Sequence, residues 1–452
     1  MLQQTLPIAR NAFVESLRQP IFLLLVLLSG VLQVFNTWNT GYSMGYTESG
    51  EVSGDNKLLL DIGMSTVFVA ATILAAFIAT SVLSREIDNK TILTVVSKPV
   101  SRPILILGKY LGVAAAISIA TVTMLLFLLL AIRHGVMSTA SDELDGPVLF
   151  FGLMAVIAAL VLAAWTNYFY GWNFPQTAVS LLFPFVALGY FLTLCFSKTW
   201  KVQSPIVDFK PQITLACMCL MMAVLVLTSI ATAASTRLKQ VATIGVCLVV
   251  FLFSLLSNHL LGQNAFHNQS AGIVKQATSL DLKRDELSRP GDSYTIELLQ
   301  DPVPAFKPGD SFYYGPSPNG AALYVTEFPP FTGDASDGSL FVNPQTPFAL
   351  VVTEAKGKVV TIRVAGGGGA SHVLRTPSEG DYVFHEPTRY TYAALIPWMV
   401  LPNLQDFWYI DAVSQNQPIP PYHVAMVMVY GLAQIAVFLS LGVILFQRRD
   451  VG

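Results

Sequence analysis

Any chemistry in this 452-residue chain must be built from 54 formally charged side chains, six histidines and four cysteines. Handling a nucleotide needs a glycine-rich loop closing on Gly-Lys-Ser/Thr, whose amides cradle phosphate. Gly108-Lys109 is followed by Tyr110 and Gly357-Lys358 by Val359, so the sequence has no such loop. Gly366–Gly369 lacks a following Lys-Ser/Thr and reads as a hairpin loop. Around Ser317, glycine stands two residues before but not two after, which excludes a nucleophile elbow. Asp334, Ser336 and Asp337-Gly338 resemble a calcium loop weakly, with Gln345 where the bidentate Glu belongs. The histidines His134, His259, His267, His372, His385 and His423 have no metal-ligand spacing. Cys217 and Cys219 lie about 200° apart around a helix, poor geometry for one metal, so Cys195, Cys217, Cys219 and Cys247 read as small buried hydrophobes. With no catalytic constellation, the expectation is a chain that is not an enzyme and binds no metal or cofactor of its own.

Two features stand out from this background. Asp61 lies inside a long apolar stretch, where ionisable groups are functional candidates by default; its place near the end of that stretch weakens the candidacy. The second is the segment Ser84–Lys109. It begins with the charged turn Arg85-Glu86-Ile87-Asp88 and passes through Ile92, Leu93, Val95 and Val96. It then breaks at Pro99 and Pro103. An apolar patch bracketed by charges on a proline-bounded loop suits docking on another protein, and a solvated loop with chance apolar content is the plain alternative.

The elements that carry these residues are mostly apolar. Only 12% of the chain is charged, about half the share of an average soluble domain, which excludes a cytosolic enzyme. The net charge of −2 offers no basic stripe for nucleic acid. A bilayer needs about 20 apolar residues per helix, and eight stretches qualify: 20–38, 58–83, 109–132, 148–168, 176–196, 212–234, 241–261 and 424–446. The fourth and fifth are divided only by a short polar patch at Thr166, Asn167, Gly171, Asn173 and Pro175, so two full spans and one re-entrant unit both remain open. Segments 1–19, 84–109, 235–240 and 447–452 hold eleven Lys and Arg, against five in the short loops on the other side. This asymmetry predicts cytoplasmic termini and a multi-pass protein of the cytoplasmic membrane.

Residues 1–19, with Leu6, Phe13 and Leu17 at helical spacing and Arg10 and Arg18 between them, read as an amphipathic helix along the inner surface. The small residues Gly63, Ser65, Ala70, Ala71, Ala75, Ala76 and Ala79 of the second span permit close packing. Residues 262–423 differ, with ten basic and sixteen acidic side chains. Ser293–Leu299, Ala321–Thr326, Phe348–Glu354, Lys358–Val364 and Asp381–His385 alternate with turn clusters, which predicts an extracytoplasmic β-rich domain at about 290–390. Trp398, Phe407, Trp408 and Tyr409 beside the last span predict an interfacial helix over 393–411, with core aromatics of the outer domain as the alternative. The fold class is thus a mainly α-helical polytopic membrane protein of about eight transmembrane helices with an inserted β-rich domain. Its parts are an amphipathic N-terminal helix 1–19, a transmembrane body 20–261, the insertion 262–423, and a last span with its tail, 424–452.

Three segments resemble a known family. Arg85-Glu86, Thr91, Ser97-Lys98-Pro99-Val100-Ser101-Arg102 and Leu107-Gly108-Lys109-Tyr110-Leu111 are similar to the cytoplasmic loop of type-two ATP-binding cassette permeases. Ala231–Ser235 with Arg237 resembles the end of their fourth helix, and 401–408 with Phe446–Asp450 their ending. Within that family the closest resemblance is to permeases grouped with multi-copper-enzyme maturation. Lys90 stands where the family commonly has Gly, and the pair 148–196 and the β-rich insertion are additions to its usual six spans.

The resemblance implies a homodimer or heterodimer of permease chains, each docked on a separate ATPase subunit that binds ATP and magnesium. It implies a coupling helix over 84–98, with Arg85, Glu86 and Asp88 meeting the ATPase and Lys98, Arg102 and Lys109 fixing the loop at the lipid surface. The competing expectation is a membrane-anchored binding or sensing protein that presents the outer domain and transports nothing.

Overall fold

The computed structural model describes residues 2–40, 54–88, 101–137, 144–280, 287, 289–315, 328–333, 338–341, 347–366, 376–410, 413, 419 and 421–447. They form two compact units, Met1–Leu255 with Leu404–Gly452, and Leu256–Asn403.

The first unit is helical: α1 Leu2–Leu17, α2 Pro20–Asn39, α3 Gly54–Asp88, α4 Arg102–His134, α5 Gly146–Tyr170, α6 Phe174–Cys195, α7 Pro211–Ser235 and α8 Gln240–Leu255. A last helix, Pro421–Gln447, closes it. Proline sits in the first two positions of α2, α4, α5, α6 and α7, where its missing N–H costs nothing. Seven helices are long and apolar enough to cross a membrane, or eight if α8 and the short helical segment after it make one broken span. This bears out the mainly helical polytopic architecture. The polar patch after α5 proves to be two helix caps back to back. Gly171 takes a left-handed conformation (φ 68°) and its amide closes on the Asn167 carbonyl, while Asn173 Oδ1 accepts from the Gln176 amide at 3.1 Å. Helices of 25 and 22 residues on either side are each long enough to span.

Helix α3 is the hub of this unit and packs on α2, α4, α7 and α8. Of its small residues, Gly63, Ala71, Ala75, Ala76 and Ala79 are buried, whereas Ser65 is exposed and Ala70 half-buried. The end of α5 and the turn into α6 carry Trp165, Tyr168, Phe169, Tyr170 and Trp172, all more than half exposed. Aromatics exposed at the end of a span fit the headgroup level of a bilayer.

The second unit is built on a six-stranded antiparallel sheet in the order β4-β7-β2-β3-β6-β5. Its strands are β2 Ser270–Ser279, β3 Ser293–Leu298, β4 Tyr313–Gly315, β5 Ala349–Lys356, β6 Val359–Ala365 and β7 Tyr382–Phe384. A small pair, β1 Phe266–His267 and β8 Arg389–Tyr390, flanks it. Four of the predicted strands are present as β3, β5, β6 and β7; Ala321–Thr326 lies outside the described residues. The alternation reads out directly in β3, where Tyr294, Ile296 and Leu298 point inward. The long central strand β2 was not anticipated. Its sequence, SAGIVKQATS, has few β-branched residues, and pairing with neighbours on both edges holds it extended.

Two boundaries differ from the sequence reading. The insertion ends at Asn403 rather than 423, because Leu404, Phe407, Ile410, Val413 and Ile419 belong to the core of the helical unit. The helix expected over 393–411 is a shorter one, α9 Tyr392–Val400, and Pro402 blocks its continuation. Trp398 is buried against Phe266 (ring centroids 5.0 Å apart) and Phe407 is buried in the helical unit, so both are core aromatics rather than part of an interfacial belt. The closing helix Pro421–Gln447 is α10.

Opposite the α1 side, the ends of α4, α5 and α6 are tied by charge. Arg133 binds Asp145 at 2.7 Å and Asp208 at 2.9 Å, and its Nη2 also donates to the Phe196 carbonyl at 3.4 Å. Asp145 is fully buried and caps α5 by accepting from the Val148 amide, and the Gln203 amide donates to Asp208. Removing one partner of a buried pair leaves an uncompensated charge, which costs about 3–5 kcal/mol. Asp145→Ala is expected to lower the thermal unfolding temperature of the purified chain sharply, whereas the paired change Arg133→Met with Asp145→Leu recovers most of the loss.

Candidate coupling face and intramembrane groove

On the face where the chain begins, α1 lies across the start of α4. The contact is close because Gly108 and Gly112 are one turn apart on α4. A methyl group at Gly112 would sit 2.7 Å from Ala12 Cβ and 2.9 Å from the Phe13 amide nitrogen, and one at Gly108 would sit 2.9 Å from Ile8 Cγ2. Gly-x-x-x-Gly is the spacing that lets helix backbones approach in lipid, and it stood in the sequence unread. The buried face of α1 is accordingly Thr5, Ala12, Ser16 and Leu17, while Leu6 is 73% exposed. The amphipathic helix therefore exists, but the face it buries against the protein is largely one of small residues.

Lys109, between the two glycines, is buried and faces Glu15 of α1 at 3.9 Å. Arg102, in the first turn of α4, donates to the Phe446 and Gln447 carbonyls at 3.2 and 2.9 Å and lies over the Phe446 ring, 5.6 Å from its centroid. Arg237, just after α7, donates to the Leu445 carbonyl at 2.7 Å. Two guanidinium groups thus take up the last carbonyls of α10, where the helix dipole is negative. The start of α4, the end of α7 and the end of α10 are bound into one junction on the α1 side.

Arg85, Glu86 and Asp88 fall in the last turn of α3, which runs from the span to Asp88 without a break. Lys98, and with it Thr91 and the apolar patch 92–96, lies outside the described residues. The face thus brings together Arg102, Lys109 and Arg237 around α1, α4 and α10, and the backbone of 85–88 continues α3 beyond its apolar span.

Within the span region the structure reveals a polar stripe on α2. Ser29, Gln33, Asn36 and Thr40, spaced four, three and four, are buried. Gln33 Nε2 donates to the Gly63 carbonyl at 3.0 Å and Asn36 Nδ2 to the Leu59 carbonyl at 2.9 Å. A Cβ at Gly63 would collide with Leu128 Cδ1 and come 2.8 Å from Gln33 Oε1, so a larger residue there would displace both side chains. Beside this stripe, α2 and α3 enclose a groove of about 530 Å3 lined by Leu25, Leu28, Ser29, Asp61, Ser65 and Ile73 among others. Asp61 therefore faces a groove rather than a helix interface alone.

Cys217, Cys219 and Cys247 are buried, and the Cys217 thiol lies 3.9 Å from the Met64 sulfur. Among the described residues no cluster of three or more His, Cys, Asp or Glu forms a metal site.

Two variants test the packing of this face. Gly112→Leu overpacks the α1–α4 crossing and is expected to cost at least about 1–3 kcal/mol, read as a lower unfolding temperature. Gly245→Ala, where the added methyl meets nothing within 4 Å, is expected to be neutral or slightly stabilising. Replacing Arg102 and Arg237 together by Ala is expected to leave the fold intact and to speed amide hydrogen exchange over the last turn of α10 by at least tenfold, since its carbonyls lose both caps.

Residues 6–166 match the model of a family described as ABC-2 family transporter protein. No curated protein and no solved structure matches the chain. The matched stretch runs from α1 through most of α5 and includes the α1–α4 crossing, Arg102, Lys109 and the groove. This match, together with the helices of bilayer length, supports a multi-pass membrane protein of the ABC-2 permease type.

Proposed function

We propose that this chain is the membrane-spanning subunit of an ATP-binding cassette transporter, moving a substrate across the cytoplasmic membrane while a separate ATPase subunit binds ATP and magnesium and performs the hydrolysis. The family match over 6–166 carries the reading. Permeases of this family associate with an ATP-binding cassette ATPase, and the chain has no phosphate loop with which to replace one. The resemblance of 84–111 and of the tail to the multi-copper-enzyme maturation group supports that subgroup.

On this reading the α1 side is cytoplasmic, in keeping with the excess of Lys and Arg there, and 84–98 is the coupling segment. Arg85, Glu86, Asp88 and Lys98 meet the ATPase. Arg102 and Lys109 act behind them: they tie the base of the loop to α10 and α1, so that a push on 84–98 moves α3, α4 and α10 together. Two permease chains pair, as a homodimer or heterodimer, to match two ATPase subunits, and residues 256–403 are extracytoplasmic.

Purification with a candidate ATP-binding cassette ATPase is expected to yield a stable complex. Glu86→Lys, a charge reversal at the end of α3, is expected to cut ATPase stimulation in that complex at least fivefold without lowering the yield of the chain. Failure to isolate any complex, or stimulation unchanged by the reversal, argues for an anchored binding protein instead.

A further inference from the structure

The groove between α2 and α3 has a polarity that runs along the membrane normal. The apolar span of α3, Asn56–Val82, has 27 residues and is about 40 Å long, against about 30 Å of hydrocarbon. Centring it leaves Asp61 only about 3 Å inside the hydrocarbon boundary. From Asp61 the groove follows α3 to Ile73, about 18 Å, close to the roughly 15 Å depth of one leaflet.

Its rim is apolar and exposed: Leu28, Leu32, Val69 and Ile73 are each between 41% and 46% exposed. Asp61 is the one carboxylate within the seven spans, so the groove has one acidic side chain, at its headgroup end, and is otherwise lined by apolar and hydroxyl side chains.

A second polar group marks the floor. Ser29 is fully buried, lines the groove, and its hydroxyl has no hydrogen-bond partner. Most hydroxyls in the spans return a bond to a carbonyl three or four residues back. Thr66 on the facing wall does so to Ile62 at 2.8 Å, as do Ser118 and Ser440 elsewhere. Thr72, Thr121 and Thr243 also lack one, but of these and Ser29 only Ser29 lines the groove. An unpaired hydroxyl in an apolar setting is unfavourable, so this one, on the floor of the groove, points to a polar atom of something held there. The bonds from Gln33 to Gly63 and from Asn36 to Leu59 set the register of the two helices and put Ser29 level with residues 66–67. That is about 8 Å deeper than Asp61.

We propose that this groove binds an aminolipid of the surrounding bilayer. Its ammonium head pairs with the Asp61 carboxylate. An ester carbonyl at the head–tail junction, about 8 Å further in, accepts from the Ser29 hydroxyl. One acyl chain lies along Leu25, Ala70 and Ile73. The occupant is a lipid because the groove opens sideways into hydrocarbon, and an aminolipid because its one charge is negative and sits at headgroup depth. The proposal is independent of the permease reading, since it concerns binding by the chain alone without ATP or ATPase.

The test uses the full chain in phosphatidylcholine nanodiscs doped with phosphatidylethanolamine carrying a diazirine in one acyl chain, with phosphatidylglycerol of the same chain as the comparison. Mass spectrometry of the photolabelled peptides is expected to place the ethanolamine label on 25–32 and 62–73 at least fivefold more than the glycerol label. Asp61→Asn is expected to abolish that preference and Asp61→Glu to retain it. Ser29→Ala is expected to reduce labelling several-fold, and Val69→Trp, which fills the groove from its lipid side, to remove it. Equal labelling by the two lipids, or an Asp61→Asn chain that labels like the native one, overturns the proposal. So does a disulfide between two copies carrying Leu32→Cys, which makes the groove a seam between chains.

Discussion

Hydrocarbon solvates neither a backbone amide nor a charge, and each polar feature of the helical unit is arranged around that constraint. At the α1 side Arg102 and Arg237 bind the last carbonyls of α10, and Lys109 faces Glu15. At the other end Arg133 holds Asp145 and Asp208. Between them the amides of Gln33 and Asn36 are spent on the Gly63 and Leu59 carbonyls of α3. The charges that join helices to one another are thus confined to two layers, one at each end of the spans, and small residues let the helices come close enough for those layers to form.

That arrangement gives the junction on the α1 side a mechanical character. Helix α1 is held on α4 by the Gly108–Gly112 crossing, α4 is held to α10 by Arg102, and α7 is held to the same turn of α10 by Arg237. The loop that leaves α3 at Asp88 returns to the chain at this junction. The starts and ends of α1, α4, α7 and α10 are thus joined to one another on this side rather than held independently. The groove between α2 and α3 lies on the far half of the same helix, where Asp61 meets the headgroup level.

Much of this was legible beforehand. Eight apolar stretches, four of the strands and the segregation of Lys and Arg follow from composition and period, because lipid and a half-buried sheet each impose one pattern on long stretches of chain. The aromatic run at 398–409 misled, since aromatics beside a span look the same whether they face headgroups or a core. Strand β2 escaped because its extended form is imposed by neighbours 15 and more residues away. Arg102 and Arg237 were countable as basic residues, but nothing near them in sequence indicates carbonyls more than 200 residues distant.

The sequence by itself determined that the chain is a membrane protein with a separate β-rich insertion, and that it has no phosphate loop. These are properties of length, apolarity and local motif. Tertiary structure alone decided what the scattered polar residues do. It turned the α5–α6 patch into two caps and returned residues 404–419 to the helical core. It gave Arg133 its two carboxylates, and it set Ser29 on the floor of a groove with Asp61 at the mouth. The physical reason is the same in each case: a polar group in a low-dielectric interior is defined by its partner, and the partner is chosen by packing rather than by sequence distance.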